Sequence, residues 1–541
     1  MDGFASLGGF LRTHAEQQPS ASAFVFVGRG SEEPVTLTWG ELYSRACFVA
    51  GKITGQGTEH ARLLLLCEAE VFVCALAGCL LSGAVAVPAP LPFNPRTAPR
   101  IRAICDNVRP DAILASSHLA GQPWLRNLAG AAGAEIIVLD DGDGWRDGAT
   151  DASFDGHGVG SDDLALIQYS SGTTGDPKGV CLSHGNLFAN CRTAVDAFEL
   201  SPRSIGVSWL PLHHDMGLVG HVLSPFMVGC TSVLLDSLSF LQRPIRWLQA
   251  ISKYRATATC APNFAYEMCC RAMAAAGGDP EMNLATLEMA LCGGEPVSAA
   301  TMERFCQVFS RFGFRKEALS PSYGLAEATV LVSTSYGTGG PQSLQVDGKR
   351  VVSCGKPRGC TVSIRDPEGV ALPEGITGEI CIAGPSVGRV GLDSMRGAPP
   401  TYLGTGDLGF MMGGDLYVSG RIKDLVIVNG QNVHPEDAEQ AVLPLSDCIV
   451  PGGVAAVGVS EAGTEKLCVA VELSRSPDQT SDLRGRINVA VAAATGIVPA
   501  RVVFLAAGKL PRTTSGKVRR REVAAVIDAI DAAASSKVPL A

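Results

Sequence analysis

Short apolar runs alternate with helical patterns along most of this chain, and that alternation constrains the fold more than any other feature. LALIQY (164–169) has the make-up of a buried strand. After a glycine-rich loop, Ser183 is placed to cap a helix whose Leu187, Cys191, Val195 and Phe198 fall on one face. GVSWLPL (206–212) reads as the next strand. Pro244 suits the first turn of the helix PIRWLQAISKY. The strand-like ATATCA (256–261), the helix FAYEMCCRAMAAA and the strand LEMALC (287–292) carry the series into Gly293-Gly294. Repetition of this kind implies a large α/β N-terminal domain with stacked, largely parallel sheets. Ligands of such sheets sit at the carboxyl ends of the strands.

The pattern changes near residue 420. DLYVSG and DLVIVNG read as short strands joined by charged residues, and HPEDAEQAV starts a helix. KLCVAVEL and RVVFLAA add strands, with the helix DLRGRINVAVAAATG between them. This is a small α+β C-terminal domain. The boundary is placed at Gly420-Arg421, giving units 1–420 and 421–541. The Gly/Asp-rich stretch 141–161 suits a surface loop.

Charge narrows the partners. A formal net charge of -9 argues against nucleic acid. The one dense basic run, Lys517, Arg519, Arg520 and Arg521, reads as a solvated helix start. The 18 cysteines include no CxxC pair and no cluster at zinc spacing, which suits reduced, buried thiols in a cytoplasmic protein. The N-terminus lacks the basic and apolar regions of a signal peptide. The uncharged run Val71 to Leu91 is long enough to span a bilayer. Its Gly78, Ser82, Gly83 and Pro88 instead suggest a buried helix over 71–82 and a short strand, AVAVP, so no membrane span is expected.

The strongest chemical signal is YSSGTTGDPKG, Tyr169 to Gly179, directly after a predicted strand. Gly172, Gly175 and Gly179 let backbone N–H groups approach phosphate oxygens. Ser170, Ser171, Thr173 and Thr174 supply hydroxyl donors, and Lys178 adds charge. The loop is not a Walker motif, because GxxxxGK[ST] does not occur.

This segment resembles the signature loop of the adenylate-forming superfamily, which includes acyl-CoA synthetases, peptide-synthetase adenylation domains and luciferases. The resemblance runs along nearly the whole chain. WLPLHHDMGL (209–218), GGEPV (293–297), PSYGLAEAT (321–329), TGDLG (405–409), GRIKDLVIVNG (420–430) and LPRTTSGK (510–517) occur in the family's order. LHHDMGLVG, FLQRPIRWLQAISKYRAT, PNFAYEMC and YGLAEATVLVS are similar to the fatty acyl-AMP ligase branch, whose members usually load acyl carrier proteins. Three departures stand out. His213 replaces an expected tyrosine, the stretch 331–357 is shorter than that branch's usual insertion, and the stretch between GPSVG (384–388) and TGD (405–407) is abbreviated.

The resemblance implies ATP and Mg²⁺ as cofactors and a carboxylic acid as substrate. Lys517 corresponds to a mobile catalytic lysine that bridges carboxylate and α-phosphate. Glu327 corresponds to the Mg²⁺ ligand. Asp407 would accept both ribose hydroxyls, with Arg421 nearby. Adenine would lie between Gly294-Glu295-Pro296 and Ser322-Tyr323-Gly324, with Tyr323 stacking on the base. His214 would sit beside the reacting carboxylate. Asp215 has two readings: an ammonium holder in peptide-synthetase domains, or a neighbour of the histidine without that role in fatty acyl-AMP ligases. Met216, Asn263, Phe264 and Tyr266 complete the expected acyl pocket. Lys423 corresponds to the hinge of a mobile lid. The expected product is acyl-AMP, passed to the phosphopantetheine of an acyl carrier protein acting in trans. A coenzyme A ligase or a stand-alone amino-acid adenylation enzyme are the alternatives. A silent binding protein is disfavoured, since Lys517 and Glu327 are both present.

Overall fold

The computed structural model describes residues 6–28, 33–55, 60–92, 97–141, 145, 154, 159–169, 177–275, 281–346, 349–396, 401–428, 431–461, 464–475, 480–513 and 516–535. Ser170, Ser171, Gly172, Thr173, Thr174 and Gly175 lie outside them.

Two large sheets form the N-terminal body. The nine-stranded sheet runs Lys356–Pro357, Leu331–Thr334, Leu319–Gly324, Met289–Cys292, Ala258–Ala261, Ile205–Ser208, Thr231–Leu235, Ser22–Val27, Val35–Thr38. It is parallel from Leu319–Gly324 to Ser22–Val27 and antiparallel at both edges. The seven-stranded sheet runs Arg389–Val390, Gly179–Ser183, Leu164–Tyr169, Val85–Pro88, Arg62–Leu66, Ala112–Ala115, Glu135–Val138. It is antiparallel only at its first two junctions.

The sheets stack through helices. One apolar cluster joins Phe24 and Leu234 of the first sheet to Leu63, Leu65 and Leu166 of the second. Trp39–Thr54 and Ala69–Ser82 lie within that cluster. Ala69–Ser82 is buried at every position from Val71 to Leu81, so its apolar residues cover its whole circumference. Each such Leu or Phe contributes about 1.5–3 kcal/mol of burial free energy. The expected helix-then-strand reading of 71–91 therefore holds, and no described helix is long and apolar enough to cross a membrane. All 18 cysteines are free, and most are buried.

One strand is shorter than its apolar run. GVSWLPL was expected over 206–212, but the strand is Ile205–Ser208. The Ser208 hydroxyl accepts a hydrogen bond from the Leu210 amide (3.1 Å), which turns the chain, and Pro211 has no N–H to extend a ladder. Ser183 caps His184–Ala197 through a reciprocal pair with Asn186, as its position suggested.

A four-stranded antiparallel sheet, Thr361–Arg365, Gly378–Ala383, Leu403–Met412 and Asp415–Arg421, closes the N-terminal body. DLYVSG belongs to this sheet. Beyond it lies the three-stranded sheet Ile449–Glu461, Thr464–Leu473, Arg501–Ala506, with Pro435–Val442, Thr480–Thr495 and Arg520–Ser535 packed on it. This is the expected α+β C-terminal domain.

Two arginines organise that domain. Arg271, on the N-terminal helix Asn263–Ala275, donates to the carbonyls of Ile449 and Leu443 across the domain gap. Glu267 orients it (2.9 Å) and also binds Arg304 (2.7 Å). Arg520 corrects the solvated reading of the basic run: it is largely buried and paired with Asp424, Glu436 and Glu439. A run of arginines can hold one inward member when acidic residues converge on it from other elements.

Buried histidines make the fold acid-sensitive. His184 is 2% exposed, and neither ring nitrogen has a hydrogen-bond partner among the described residues. Burial pushes its pKa down from 6.5 to about 4. Below pH 6.5 the unfolded chain holds a proton that the folded chain lacks, so this stability is fully present above 6.5 and is lost as pH falls toward 4. The loss reaches about 2 kcal/mol at pH 5 for this one group. Denaturant unfolding at pH 7 and pH 5 should show His184→Leu losing less stability than the natural chain by about that amount.

Candidate active site

A cavity of about 1800 Å³ lies where the C-terminal domain meets the carboxyl ends of the nine-stranded sheet. The loops after Ile205–Ser208, Ala258–Ala261, Met289–Cys292 and Leu319–Gly324 all contribute to its wall. Of the expected site residues, Lys178, His214, Asp215, Met216, Phe264, Gly294, Glu295, Pro296, Ser322, Tyr323, Gly324, Glu327, Asp407, Arg421, Lys423 and Lys517 line it.

One end of the site is built around Asp407. Its carboxylate is 4% exposed and engaged on both oxygens. The Tyr323 hydroxyl donates to one (2.7 Å) and Arg421 Nε to the other (2.6 Å). Asp407 and Arg421 are register partners in adjacent strands, which fixes the pair. Each carboxylate oxygen keeps a further lone pair for a ligand. Beside this group, Met289–Cys292 pairs with Leu319–Gly324, so the Gly293 and Ser322 backbones run together. A Cβ on Gly293 would stand 2.7 Å from the Ser322 carbonyl oxygen, so only glycine fits. The Ser322 hydroxyl turns inward to Thr334 (2.9 Å) and leaves its backbone to the cavity.

The other end gathers buried charge. His214 caps the short helix Asp215–Leu218, and Asp215 accepts a hydrogen bond from the Met216 amide (2.8 Å). Burial pushes His214 well below the ordinary histidine range, and its neighbours His213, Arg100 and Lys517 push the same way. Its ring is therefore neutral. Burial raises the Asp215 carboxyl, opposed by the Lys517 ammonium. Burial also raises Glu295, opposed by the Phe264 amide (2.6 Å) and then by Lys517 and Arg512. Glu327, raised by burial and further by Asp215, sits in the turn Ala326–Ala328. Next to it Thr329 is held at φ 68°, an outlier for a β-branched residue, with its hydroxyl on the Ser386 carbonyl (2.8 Å).

The donor set fits a hard cation. Glu327 is a half-buried carboxyl group raised by its surroundings, with no ion-pair partner among the described residues. No group of three or more metal-ligating side chains occurs among them either. A divalent ion there would take one or two carboxylates and complete its shell with phosphate oxygens.

Lys517 is carried in by the C-terminal domain. Its amide donates to Thr513 Oγ1 (3.1 Å), and the Thr513 amide donates to the Lys517 carbonyl (2.7 Å), closing a tight turn. Gly516 sits at φ 86°, where a Cβ would meet the Phe264 ring at 3.1 Å. Arg512 braces the turn through Gly516 O (3.0 Å) and Gly452 O (2.6 Å).

Two expected pocket residues are elsewhere. Tyr266 is fully buried in the core, its hydroxyl donating to the Leu291 carbonyl (2.8 Å). The Asn263 side chain accepts from the Ser298 amide (3.0 Å) and does not line the cavity. On the helix Asn263–Ala275 only the face carrying Phe264 and Met268 looks into the cavity. Sequence reading also missed Arg512, Arg271 and the arm lined by Gly206, His221, Ser224 and Cys260. Arg512 lies inside LPRTTSGK and could have been singled out there; the arm depends on strand register and carries no local motif.

The AMP-binding enzyme family matches residues 11–390. The chain is 34% identical to the medium-chain-fatty-acid–[acyl-carrier-protein] ligase JamA of Moorena producens, over 96% of this chain and 94% of that protein. It is 35% identical to a 4-hydroxyphenylalkanoate adenylyltransferase of Mycobacterium marinum, over 96% and 91% respectively. A solved structure from work on fatty acyl-adenylate ligases of E. coli and L. pneumophila superposes with a TM-score of 0.86 at 29% identity, covering 98% of this chain and 99% of that one. Fold, cavity and sequence agree: this chain belongs to the AMP-binding enzyme family and is a fatty acyl-AMP ligase-like member of it.

Proposed function

We propose that this chain uses ATP to convert a fatty or related carboxylic acid to acyl-AMP, and then passes the acyl group to the phosphopantetheine thiol of an acyl carrier protein acting in trans. The observation that carries this reading is that Lys517, from the C-terminal domain, lines one cavity with His214, Asp215 and Glu295. The Asp407–Tyr323–Arg421 group lines the same cavity. JamA, similar over nearly its whole length, is a ligase for an acyl-carrier protein.

In the first step a carboxylate oxygen bonds to the α-phosphorus. The bond to the bridging oxygen of the β-phosphate breaks, and pyrophosphate leaves with the electron pair. Both reactants are anionic, so the approach needs a cation placed where negative charge develops. Lys517 is assigned that place. The neutral His214 ring orients the acid by hydrogen bonding without adding charge. Asp407 holds the ribose hydroxyls, and Tyr323 offers its face to the base. Ser170, Ser171, Gly172, Thr173, Thr174, Gly175 and Lys178 are assigned to the phosphate tail. Mg²⁺ bound through Glu327 would screen the phosphate charge.

In the second step the carrier thiol loses its proton to solvent, and its sulfur bonds to the acyl carbonyl carbon. The bond to the AMP oxygen breaks, leaving a thioester and AMP. Lys517 has no task there and would occupy the thiol's path. The division into 1–420 and 421–541, with Lys423 as pivot, supplies the motion. Lys423 is exposed in the single turn Ile422–Asp424 between two strands. Arg271 would hold the lid during the first step through bonds to two carbonyls, which break without stranding an apolar surface.

Lys517→Ala should lower acyl-AMP formation by roughly 10²–10³-fold, the scale for removing one transition-state donor. ATP–pyrophosphate exchange and mass spectrometry measure it. Transfer from supplied acyl-AMP to a phosphopantetheinylated carrier should persist; loss of both steps alike would contradict the role. Coenzyme A offered in parallel as acceptor should give less thioester than the carrier.

Tyr323→Phe should raise the KM for ATP about 3–10-fold, the worth of one hydrogen bond. Asp407→Asn, which also strands Arg421, should raise it by more, roughly 10–100-fold. Steady-state kinetics at saturating acid separate the two.

A further inference from the structure

The C-terminal domain grips the turn of Lys517 with a clamp of its own. The strand Ile449–Glu461 pairs with Thr464–Leu473, but the register breaks: Ile449 lies opposite Leu473 and Val454 opposite Val471. Val450, Pro451, Gly452 and Gly453 therefore stand against Glu472 alone and bulge out of the ladder. Val450 and Pro451 line the cavity. Gly452 takes φ 63°, and a Cβ on Gly453 would stand 2.6 Å from the Val450 carbonyl oxygen, so the bulge needs both glycines.

Arg512 joins this bulge to the turn that carries Lys517. Nη2 donates to the Gly452 carbonyl (2.6 Å) and Nη1 to the Gly516 carbonyl (3.0 Å). Nη2 also lies 3.5 Å from Oε2 of Glu472, whose side chain is 3% exposed. The other Glu472 oxygen accepts from the Leu510 amide (3.3 Å), just before Arg512. One planar guanidinium thus spans the bulge, the carboxylate and the turn, a fork that a lysine cannot reproduce. These partners all belong to the C-terminal domain, so the clamp travels with Lys517.

The clamp also meets the N-terminal body. Cβ atoms built on Gly452 and Gly516 would come within 3.7 Å and 3.1 Å of the Phe264 side chain. The two backbones that Arg512 ties together therefore lie against one aromatic residue. The Lys517 side chain is exposed in the cavity. Its long stem is flexible, so the place its ammonium reaches is set by the turn beneath it. Glu295, whose carboxyl group accepts from the Phe264 amide, lies within electrostatic reach of both Lys517 and Arg512.

We propose that Arg512, anchored on Glu472, is the positioning residue for Lys517: it fixes the turn to the bulge, and the two together set where the ammonium enters the cavity. The proposal rests on the acyl-AMP reading above, in which Lys517 acts in the first step alone.

The test uses the full chain, ATP–pyrophosphate exchange, and transfer from supplied acyl-AMP to a phosphopantetheinylated carrier. Arg512→Ala should lower the kcat of exchange roughly 10–100-fold, since misplacing a catalytic group by about 1 Å costs on that scale. The KM for ATP should change by less than about threefold, because Asp407 and Tyr323 lie on the N-terminal body. Transfer should likewise stay within about threefold. Arg512→Lys keeps the charge beside Glu472 but not the fork, and should lose about 3–10-fold in kcat; it decides if Arg512→Ala does not fold. In a Lys517→Ala background, Arg512→Ala should cost less than about twofold further, because a residue acting through Lys517 has nothing left to place. A full additional loss there, an equal loss in both steps, or unchanged exchange in both Arg512 variants would overturn the proposal; slowed exchange in Lys517→Ala would still leave the acyl-AMP reading standing. Unchanged exchange in Lys517→Ala would overturn both.

Discussion

The proposed chemistry depends on one electrostatic constraint: an ammonium group must enter a pocket already lined by several half-buried carboxyl groups. Asp215, Glu295 and Glu327 are each pushed upward by burial, and Lys517 opposes that for the first two. Within a low-dielectric cavity such charges interact far more strongly than in water. An anionic acid and a triphosphate add to the same sign. A permanently fixed lysine would satisfy the carboxylates but block the thiol that follows. Mounting it on a separate domain makes the counter-charge removable, which is the proposed reason for two domains.

Rigidity elsewhere makes this possible. The proposed nucleotide contacts sit where neighbouring strands fix them, as with the register pair Asp407 and Arg421 or the close backbones of Gly293 and Ser322. The C-terminal domain is rigid within itself too. Arg520 ties the last helix to Asp424 and to the helix bearing Glu436 and Glu439. The proposed motion would then fall to the turn around Lys423. Breaking one partner of such a buried cluster strands the others, so these ties do not open casually.

Much of this was legible in the sequence because it depends on local order. Strand–loop–helix alternation places Glu327 and Gly294 after strands whatever the tertiary detail, and Tyr323, Asp407 and Lys517 sit in short stretches with their own residue signatures. What was not legible depends on which way a side chain turns. Asn263 and Tyr266 share a helix with Phe264, yet one braces the Ser298 amide and the other fills the core. Helical spacing alone does not say which face meets a cavity. Arg520 looked solvated because its acidic partners lie about 80–100 residues away in sequence. GVSWLPL looked longer than its strand because apolarity marks burial, while Pro211 and the Ser208 hydroxyl decide where pairing stops.

Phe264 shows how these layers meet in one residue. Its amide holds Glu295, and its ring packs edge-on against Trp209 (5.9 Å) and lines the cavity. The same side chain lies close to Gly516, beside Lys517, and to Gly452: a Cβ added at either would come within 3.1 Å and 3.7 Å of it, respectively. Arg271, on the same helix, reaches backbone carbonyls of the C-terminal domain. A charged hydrogen bond contributes about 1.5–3 kcal/mol, enough to bias a two-state lid and too little to lock it. An apolar interface of domain-core size would hold the lid shut through both steps. A proposed lid resting on Phe264 and Arg271 would instead respond to the occupant of the cavity, which Phe264 also lines. On the proposed two-step reading, a ligand that moves the Phe264 ring would change the surface beside Gly516, next to Lys517, and so would link occupancy of the pocket to the position of the lid.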